Sequence, residues 1–304
     1  MTAGGDSSGR RVVVTGGAGF IGSHLCDALI ERGDEVCCVD SLVGTDNSTR
    51  NIGHLLAHPR FRFIDDDILW WVRRARVHDV DCIFHQAASK GSVCGEDPGR
   101  DLRVNAAGTL RLLELAQAQG VRKFVHASTG SVYGTTEGVR SLATPLRPVS
   151  FYGVSKLAAE GYCNLFPIDV TILRYFHVIG PRQGGRGVVP TFIRQCLKGG
   201  PLTIHGTGEQ GRSFTSVHDV VRANLWASEH SGGVYNVASG INASVAQLAD
   251  FIVQETGADV EIEHGPQRPN DAMKFDIDTS GVGIDFNTDW RASVREAIEW
   301  ERGI

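Results

Sequence analysis

Tyr152 and Lys156, in "FYGVSKLAAEGY", stand four residues apart, so on a helix they share one face. A phenol ionises near pH ~10 and acts as a base at neutral pH only where cations favour the phenolate. Lys156 supplies such a cation. Upstream, "HASTGSVYG" sets three hydroxyls, Ser128, Thr129 and Ser131, at the end of an apolar run, with Thr129 23 residues before Tyr152. No carboxylate stands among them, so nothing local can protonate a leaving hydroxyl.

A second constellation lies near the N-terminus. In "VVVTGGAGFIG" a strand runs into Gly16, Gly19 and Gly22, with Phe20 and Ile21 between the last two, and "SHLCDALIERG" continues as a helix closed by Gly33. Glycines at this spacing let the backbone turn tightly and approach a pyrophosphate, which the helix N-terminus stabilises. Asp40, eighteen residues after Gly22, ends the next strand, "EVCCVD". An acid there binds the ribose hydroxyls and repels a 2′-phosphate, so the dinucleotide is NAD rather than NADP. Its oxidised ring would be a second cation beside the Tyr152 phenol.

Elements that could position these groups follow from the alternation of short apolar runs and helical patterns. "RVVVTG", residues 20–32, "EVCCVD", "FRFID", "VDCIFHQAA", a helix over 101–119, "KFVHAS", a helix over 152–165 and "DVTILRYF" predict a parallel sheet covered on both faces. From about residue 179, Gly and Pro punctuation signals a smaller lobe. The fold class is therefore α/β: a Rossmann-type doubly wound parallel sheet with a smaller, interleaved C-terminal α/β lobe. Residues 11–178 with about 217–240 form the NAD-binding part, 179–216 and 241–304 the second lobe, and 1–10 a disordered leader.

Composition narrows the partners. Of 304 residues, 41% are hydrophobic, and the net charge of −5 with dispersed Lys and Arg offers no field for nucleic acid. No apolar run approaches the ~18 residues of a membrane span, and the polar N-terminus carries no secretory signal. These features predict a cytoplasmic protein. Seven cysteines without a C-x-x-C pair read as buried, reduced thiols, and the histidines lack ligand spacing, so no metal is expected.

In order, "TGGAGFIG", "DDDI", "FHQAA", "VNAAGTL", "HASTGSVYG", "YGVSK", "LRYFHVIGPRQ", "GVVP", "LTIHGTGEQGRSFTSVHDVV", "YNVASG" and "RPNDAMKFDID" give the chain its family likeness. From about residue 11 to 300 it resembles the extended short-chain dehydrogenases/reductases, in particular their nucleotide-sugar epimerases and dehydratases. The resemblance implies that Asp67 and Ile68 contact adenine, Ala87 and Ala88 the cofactor phosphates and ribose, and Lys156 the nicotinamide ribose. Asn105, Ser128 and Tyr175 fall in the same cofactor-facing motifs. Tyr152 is implied as the base, with Thr129 as its hydroxyl partner. Arg212 and Arg268 are assigned to the substrate diphosphate, Asp271 to the neighbouring ribose, and Val189 with Thr203 and His205 to the nucleobase. Relatives pair as homodimers through the Tyr/Lys helix and the helix at 101–119.

Two departures stand out. His177 replaces the Asn that relatives direct at the diphosphate; a cationic His177 would bind phosphate more strongly and make affinity depend on pH. "YCNLFPIDV" is shorter than the usual link before the next strand. Relatives that eliminate water carry Asp-Glu after the Thr, where this chain has Gly130 and Ser131, and UDP-glucuronate decarboxylases carry Glu at the position of Ser131. The remaining reaction is 4-epimerisation of a UDP-sugar through a 4-keto intermediate. Phe275, at the position where bulky residues accompany plain hexoses, favours UDP-glucose and UDP-galactose. Lys90, in the unusual "SKGSVCGED", keeps UDP-glucuronate open, with UDP-N-acetylhexosamines behind; a dehydratase or ketoreductase of the same fold and a silent NAD-binding protein are the remaining alternatives.

Overall fold

The computed structural model describes residues 9–43, 48–90, 97–136, 138–185, 187–267 and 276–303. Most of the leader expected to be disordered, together with Cys94, Arg268, Asp271 and Phe275, lies outside the described residues. In chain order the first half comprises β1 (Arg11–Thr15), α1 (Phe20–Arg32), β2 (Glu35–Asp40), β3 (Phe61–Asp65), α2 (Ile68–Trp71), β4 (Cys82–His85), α3 (Pro98–Asp101), α4 (Thr109–Ala118) and β5 (Lys123–Thr129). Next come β6 (Val139–Arg140), α5 (Phe151–Cys163), β7 (Asp169–Tyr175), β8 (Val178–Ile179), α6 (Val188–Leu197), β9 (Leu202–His205), β10 (Gly211–Ser213) and β11 (Thr215–Ser216). The chain ends with α7 (Val217–Ala227), β12 (Gly233–Val237), β13 (Asn242–Ser244), α8 (Val245–Thr256), β14 (Ile262–Gly265), β15 (Asp276–Ile277) and α9 (Trp290–Arg302).

Seven strands form one parallel sheet in the order β12-β7-β5-β4-β1-β2-β3. Helices α1 and α7 cover one face through Leu25, Leu29, Val220 and Ala223. On the other face, Leu112, Leu113 and Ala116 of α4 and Cys163 of α5 pack against Val13, Ile83 and Phe124. Val, Ile and Phe dominate the strand interiors because both faces are buried. The predicted Rossmann-type doubly wound sheet is borne out. Its order reverses between β1 and β4, so the crevice that binds ligands opens at their carboxyl ends. A second core joins Val189, Phe192 and Ile193 of α6, Leu202 and Ile204 of β9, Leu248 and Ile252 of α8, and Trp290 and Val294 of α9.

The helix expected over 101–119 is interrupted. Leu102–Gly108 between α3 and α4 is π-helical, a widening found at functional sites. The six described cysteines are unpaired thiols. Among the described residues no helix is long and apolar enough to cross a membrane, and no three His, Cys, Asp or Glu side chains gather as metal ligands.

Candidate active site

The switch point is built by glycines. Gly16, after β1, has φ 71°, and a Cβ there would lie 2.5 Å from the Ala87 nitrogen beyond β4. A Cβ on Gly22 would lie 2.1 Å from the Gly16 carbonyl oxygen, so α1 docks on its strand only with hydrogen at that position. Gly19 begins α1, and no side chain caps the helix, which leaves its first amides for an anion. Asp40 accepts from the Ala18 N–H (3.1 Å) and the Leu42 N–H (2.9 Å), tying the glycine turn to the end of β2. Burial holds its carboxyl above the usual carboxylate range. Open helix amides, close glycines and an acid at the end of β2 fit NAD.

The other cofactor-facing residues divide by role. Asp67 caps α2 by accepting from the Leu69 N–H (2.9 Å), which brings Ile68 into the same turn. Asn105, in the π-helical stretch, accepts from the Ser89 N–H (2.7 Å) and donates to the Ser89 carbonyl (2.8 Å) and Ser155 Oγ (2.9 Å). It thereby fixes the segment carrying Ala87, Ala88 and Lys90 against α5. Tyr175 Oη accepts from Asn224 Nδ2 (2.8 Å) and lies 3.3 Å from Gln86. The hydroxyl of Ser128 donates to Glu160, which ties β5 to α5.

At the reacting end, Ser150 starts α5 by accepting from the Gly153 N–H (3.0 Å). Tyr152, Lys156 and Thr129, at the end of β5, are all buried. Thr129 Oγ1 accepts from the Ser131 N–H (3.2 Å) and donates to Ser131 Oγ (3.2 Å). Lys156 Nζ donates to the Ala127 carbonyl (2.8 Å). Burial pushes the Lys156 ammonium down to about 8, Lys90 adds to the fall, and Cys163 and Glu160 oppose it. Lys90 is exposed, its Nζ 5.6 Å from the centre of the Tyr152 ring.

Beyond β7, His177 has φ 37°, a left-handed conformation that Asn and His adopt more readily than most residues. That explains how His can replace Asn here. The surrounding protein, and then Arg212, Arg140 and Lys90, hold its ring well below the usual imidazole range. In the ligand-free protein these surroundings favour the neutral ring, although the side chain itself is exposed. Arg212 sits on β10, and its Nη1 donates to the Gly211 carbonyl (2.8 Å). Val189 is buried in the second core, so its side chain is not available to a nucleobase. Thr203 and His205 lie half-buried on β9, and the His205 ring donates to the Pro266 carbonyl (3.2 Å).

Two groups escaped the sequence reading. Arg140, buried on β6, lies in Coulombic reach of Arg212 and His177, and nothing in "EGVRSL" signals it. Glu160 pairs with Arg174 on β7, and its one signal was the i,i+4 spacing from Lys156.

A doubly wound sheet with a glycine turn, an acid after β2 and a Tyr/Lys helix beside a Thr strand end defines an extended short-chain dehydrogenase/reductase. The chain belongs to the NAD-dependent epimerase/dehydratase family, which residues 12–238 match. A putative UDP-glucose 4-epimerase of Methanocaldococcus jannaschii is 34% identical over 306 residues, spanning 95% of this chain and 97% of that protein. The UDP-glucuronic acid 4-epimerase of Bacillus cereus, solved with UDP-glucuronic acid and NAD, superposes with a TM-score of 0.88 at 31% identity, covering 96% of this chain and 99% of that one. The UDP-glucose 4-epimerase of Thermotoga maritima, solved with UDP-glucose, gives 0.86 at 33% identity, with the same coverage of 96% and 99%.

Proposed function

We propose that the protein interconverts the C4 epimers of a UDP-hexose, UDP-glucose and UDP-galactose, through a transient 4-keto sugar. The observation that carries this reading is the pair of Thr129 and Ser131 hydroxyls at the end of β5, packed against the helix that carries Tyr152 and Lys156, with Gly130 and Ser131 where an eliminating enzyme needs carboxylates. Thr129 orients the sugar 4-hydroxyl, Tyr152 takes its proton, and the Lys156 ammonium stabilises the phenolate. NAD, held at the glycine turn and Asp40, would supply the acceptor for the C4 hydride and its return to the opposite face of the ketone. Tyr152 then gives the proton back. NMR of the protein with UDP-galactose tests this: UDP-glucose should form without added NADH. Stoichiometric NADH formation, or loss of water or carbon dioxide from the sugar, would refute it.

A second substrate reading, UDP-glucuronate, is favoured by Lys90 above the Tyr152 ring. C6 is two bonds from C4, so a C6 carboxylate lies beside the hydroxyl that Tyr152 handles. Lys90→Ala should then lower kcat/KM for UDP-glucuronate about tenfold while sparing UDP-glucose; equal losses on both sugars would discard it.

We also propose that two copies pair through α5 in a cytoplasmic setting that suits reduced thiols. Phe151 and Val154 lie exposed on one stripe of α5, with Leu165 exposed just beyond its end and Leu102 exposed on the neighbouring π-helical stretch. Light scattering should give a dimer that Phe151→Asp with Val154→Asp converts to a monomer; a monomeric parent protein refutes the pairing.

A further inference from the structure

Behind the Tyr152 face of α5 runs a buried polar network that the proton chemistry does not use. Glu160, one turn beyond Lys156, accepts from Ser128 Oγ, from Arg174 Nε (3.0 Å) and from Arg174 Nη2 (2.6 Å). Arg174 Nη1 donates to Tyr133 Oη (2.8 Å), and Tyr133 donates to Asn236 Oδ1 (2.8 Å). Asn236 Nδ2 in turn donates to the Arg140 carbonyl on β6 (3.4 Å) and to the Asp278 carbonyl just beyond β15 (3.0 Å), its partner strand. Glu160 and Arg174 are both almost fully buried. A buried ion pair yields little net stability against an apolar replacement. What this one does is join α5, which carries Tyr152 and Lys156, to the residue next to Thr129 on β5, and to the strand pair that presents Arg140.

We propose that Glu160 is a positioning residue of the epimerisation: its carboxylate, shared between Ser128 and Arg174, fixes β5 against α5 so that Thr129 and Tyr152 meet the same sugar hydroxyl. The inference rests on the epimerase reading above. Glu160 also adds a smaller favourable charge to the surroundings of Lys156, which burial and Lys90 oppose. The groups that face Lys156 are Lys90 beyond β4, His85 on β4, His126 on β5, and Tyr152, Glu160 and Cys163 on α5. Burial and Lys156 itself keep both histidines neutral, and burial keeps Cys163 a thiol. Glu160 is thus the carboxylate that favours the Lys156 ammonium against Lys90.

The test is Glu160→Gln, which keeps the shape and loses the charge, assayed beside the parent protein over a range of pH. The expected result is a fall in kcat of about tenfold or more with little change in KM. The alkaline limb of kcat should also move to lower pH, because Lys156 gives up its proton sooner. A variant that loses only thermal stability, with kcat and the pH limb unmoved, would overturn the proposal. Should Glu160→Gln fail to fold, Ser128→Ala removes a single hydroxyl; a kcat reduced about threefold or more at unchanged NAD affinity supports the proposal, and an unchanged kcat overturns it. A parent protein that turns over neither UDP-galactose nor UDP-glucuronate would refute the epimerase reading and this inference with it. An active parent with an unaffected variant would refute this inference alone.

Discussion

Replacing Lys156 by Met should stabilise the NAD-free protein near neutral pH and lose that advantage in alkali, while abolishing turnover. Lys156 is buried, and its ammonium is pushed from an ordinary 10.5 down to about 8. A base whose folded pKa lies below its unfolded value holds fewer protons folded than unfolded between those two values, so stability rises with pH across that window. Below about 8 both states are protonated and the whole penalty is present, about 3 kcal/mol from the difference between 10.5 and 8. At about pH 10 the same relation leaves about 1 kcal/mol. Lys156→Met removes the penalty at both pH values, and it removes the hydrogen bond to the Ala127 carbonyl at both. The pH-dependent part therefore survives when the two comparisons are subtracted: the stability gap between variant and parent should be about 2.5 kcal/mol larger at about pH 7 than at about pH 10. Urea denaturation of both proteins, stripped of NAD, measures it. At about 2.1 cal/mol/K per residue over 304 residues, the same difference appears as about 4 °C in Tm. Other titrating groups are common to both proteins and cancel. A gap equal at the two pH values, within about 0.5 kcal/mol, would mean that Lys156 is solvated like a surface lysine. The cation proposed to hold the Tyr152 phenolate would then lack the low-dielectric setting that gives it force.

Tyr152→Phe should keep NAD affinity and lose turnover by about a hundredfold or more, read by NAD titration and by NMR of the sugar nucleotide; undiminished turnover would dismiss Tyr152 as the base. Gly22→Ala would place its Cβ 2.1 Å from the Gly16 carbonyl, so calorimetry should find NAD binding weakened and urea denaturation a loss of about 1–3 kcal/mol. An alanine variant with the parent's affinity and stability would show that the glycine turn does not need so close a dock. Because the surrounding protein and then Arg212, Arg140 and Lys90 disfavour a cationic His177 ring, KM for the UDP-sugar should stay flat from about pH 5.5 to about pH 7.5 in the parent and in His177→Asn alike. A KM that drops on acidification in the parent alone would show that His177 does become a phosphate-binding cation.

How much of this was legible in the sequence depends on how local each cause is. The glycine turn could be read because its demands act within a few residues: Gly22 meets Gly16, and the helix that follows starts at Gly19. Tyr152 and Lys156 could be read because one helical turn puts them on one face. The π-helical stretch at Leu102–Gly108 was not, since it is Asn105, anchored to Ser89 and Ser155 from two other segments, that holds the helix open there. Nor was the role of Ser128, whose partner Glu160 lies 32 residues on, or the chain from Tyr133 to Asn236 across 103 residues. The identity of His177 was plain and its electrostatic setting was not, because the surrounding protein and then cations from β10, β6 and the segment after β4 act on it together.

The missing acid and the gathered cations have one physical origin. A site that moves hydride and a proton without expelling a group must store the proton on a weak acid, and a phenol does so near neutral pH only under positive potential. In the proposed reaction that potential would come from Lys156, on the same face of α5, and from Lys90, whose Nζ lies 5.6 Å from the centre of the Tyr152 ring. Arg140 and Arg212, near enough to act on each other and on His177, would suit the diphosphate of the proposed substrate. A carboxylate at residue 130 or 131 would oppose that potential, by neutralising part of it and by offering the proton another base. Gly130 and Ser131 add no opposing charge, and Glu160, the carboxylate nearest in sequence to Lys156, is buried in a pair with Arg174, from which, in the positioning role proposed above, it would support the lysine.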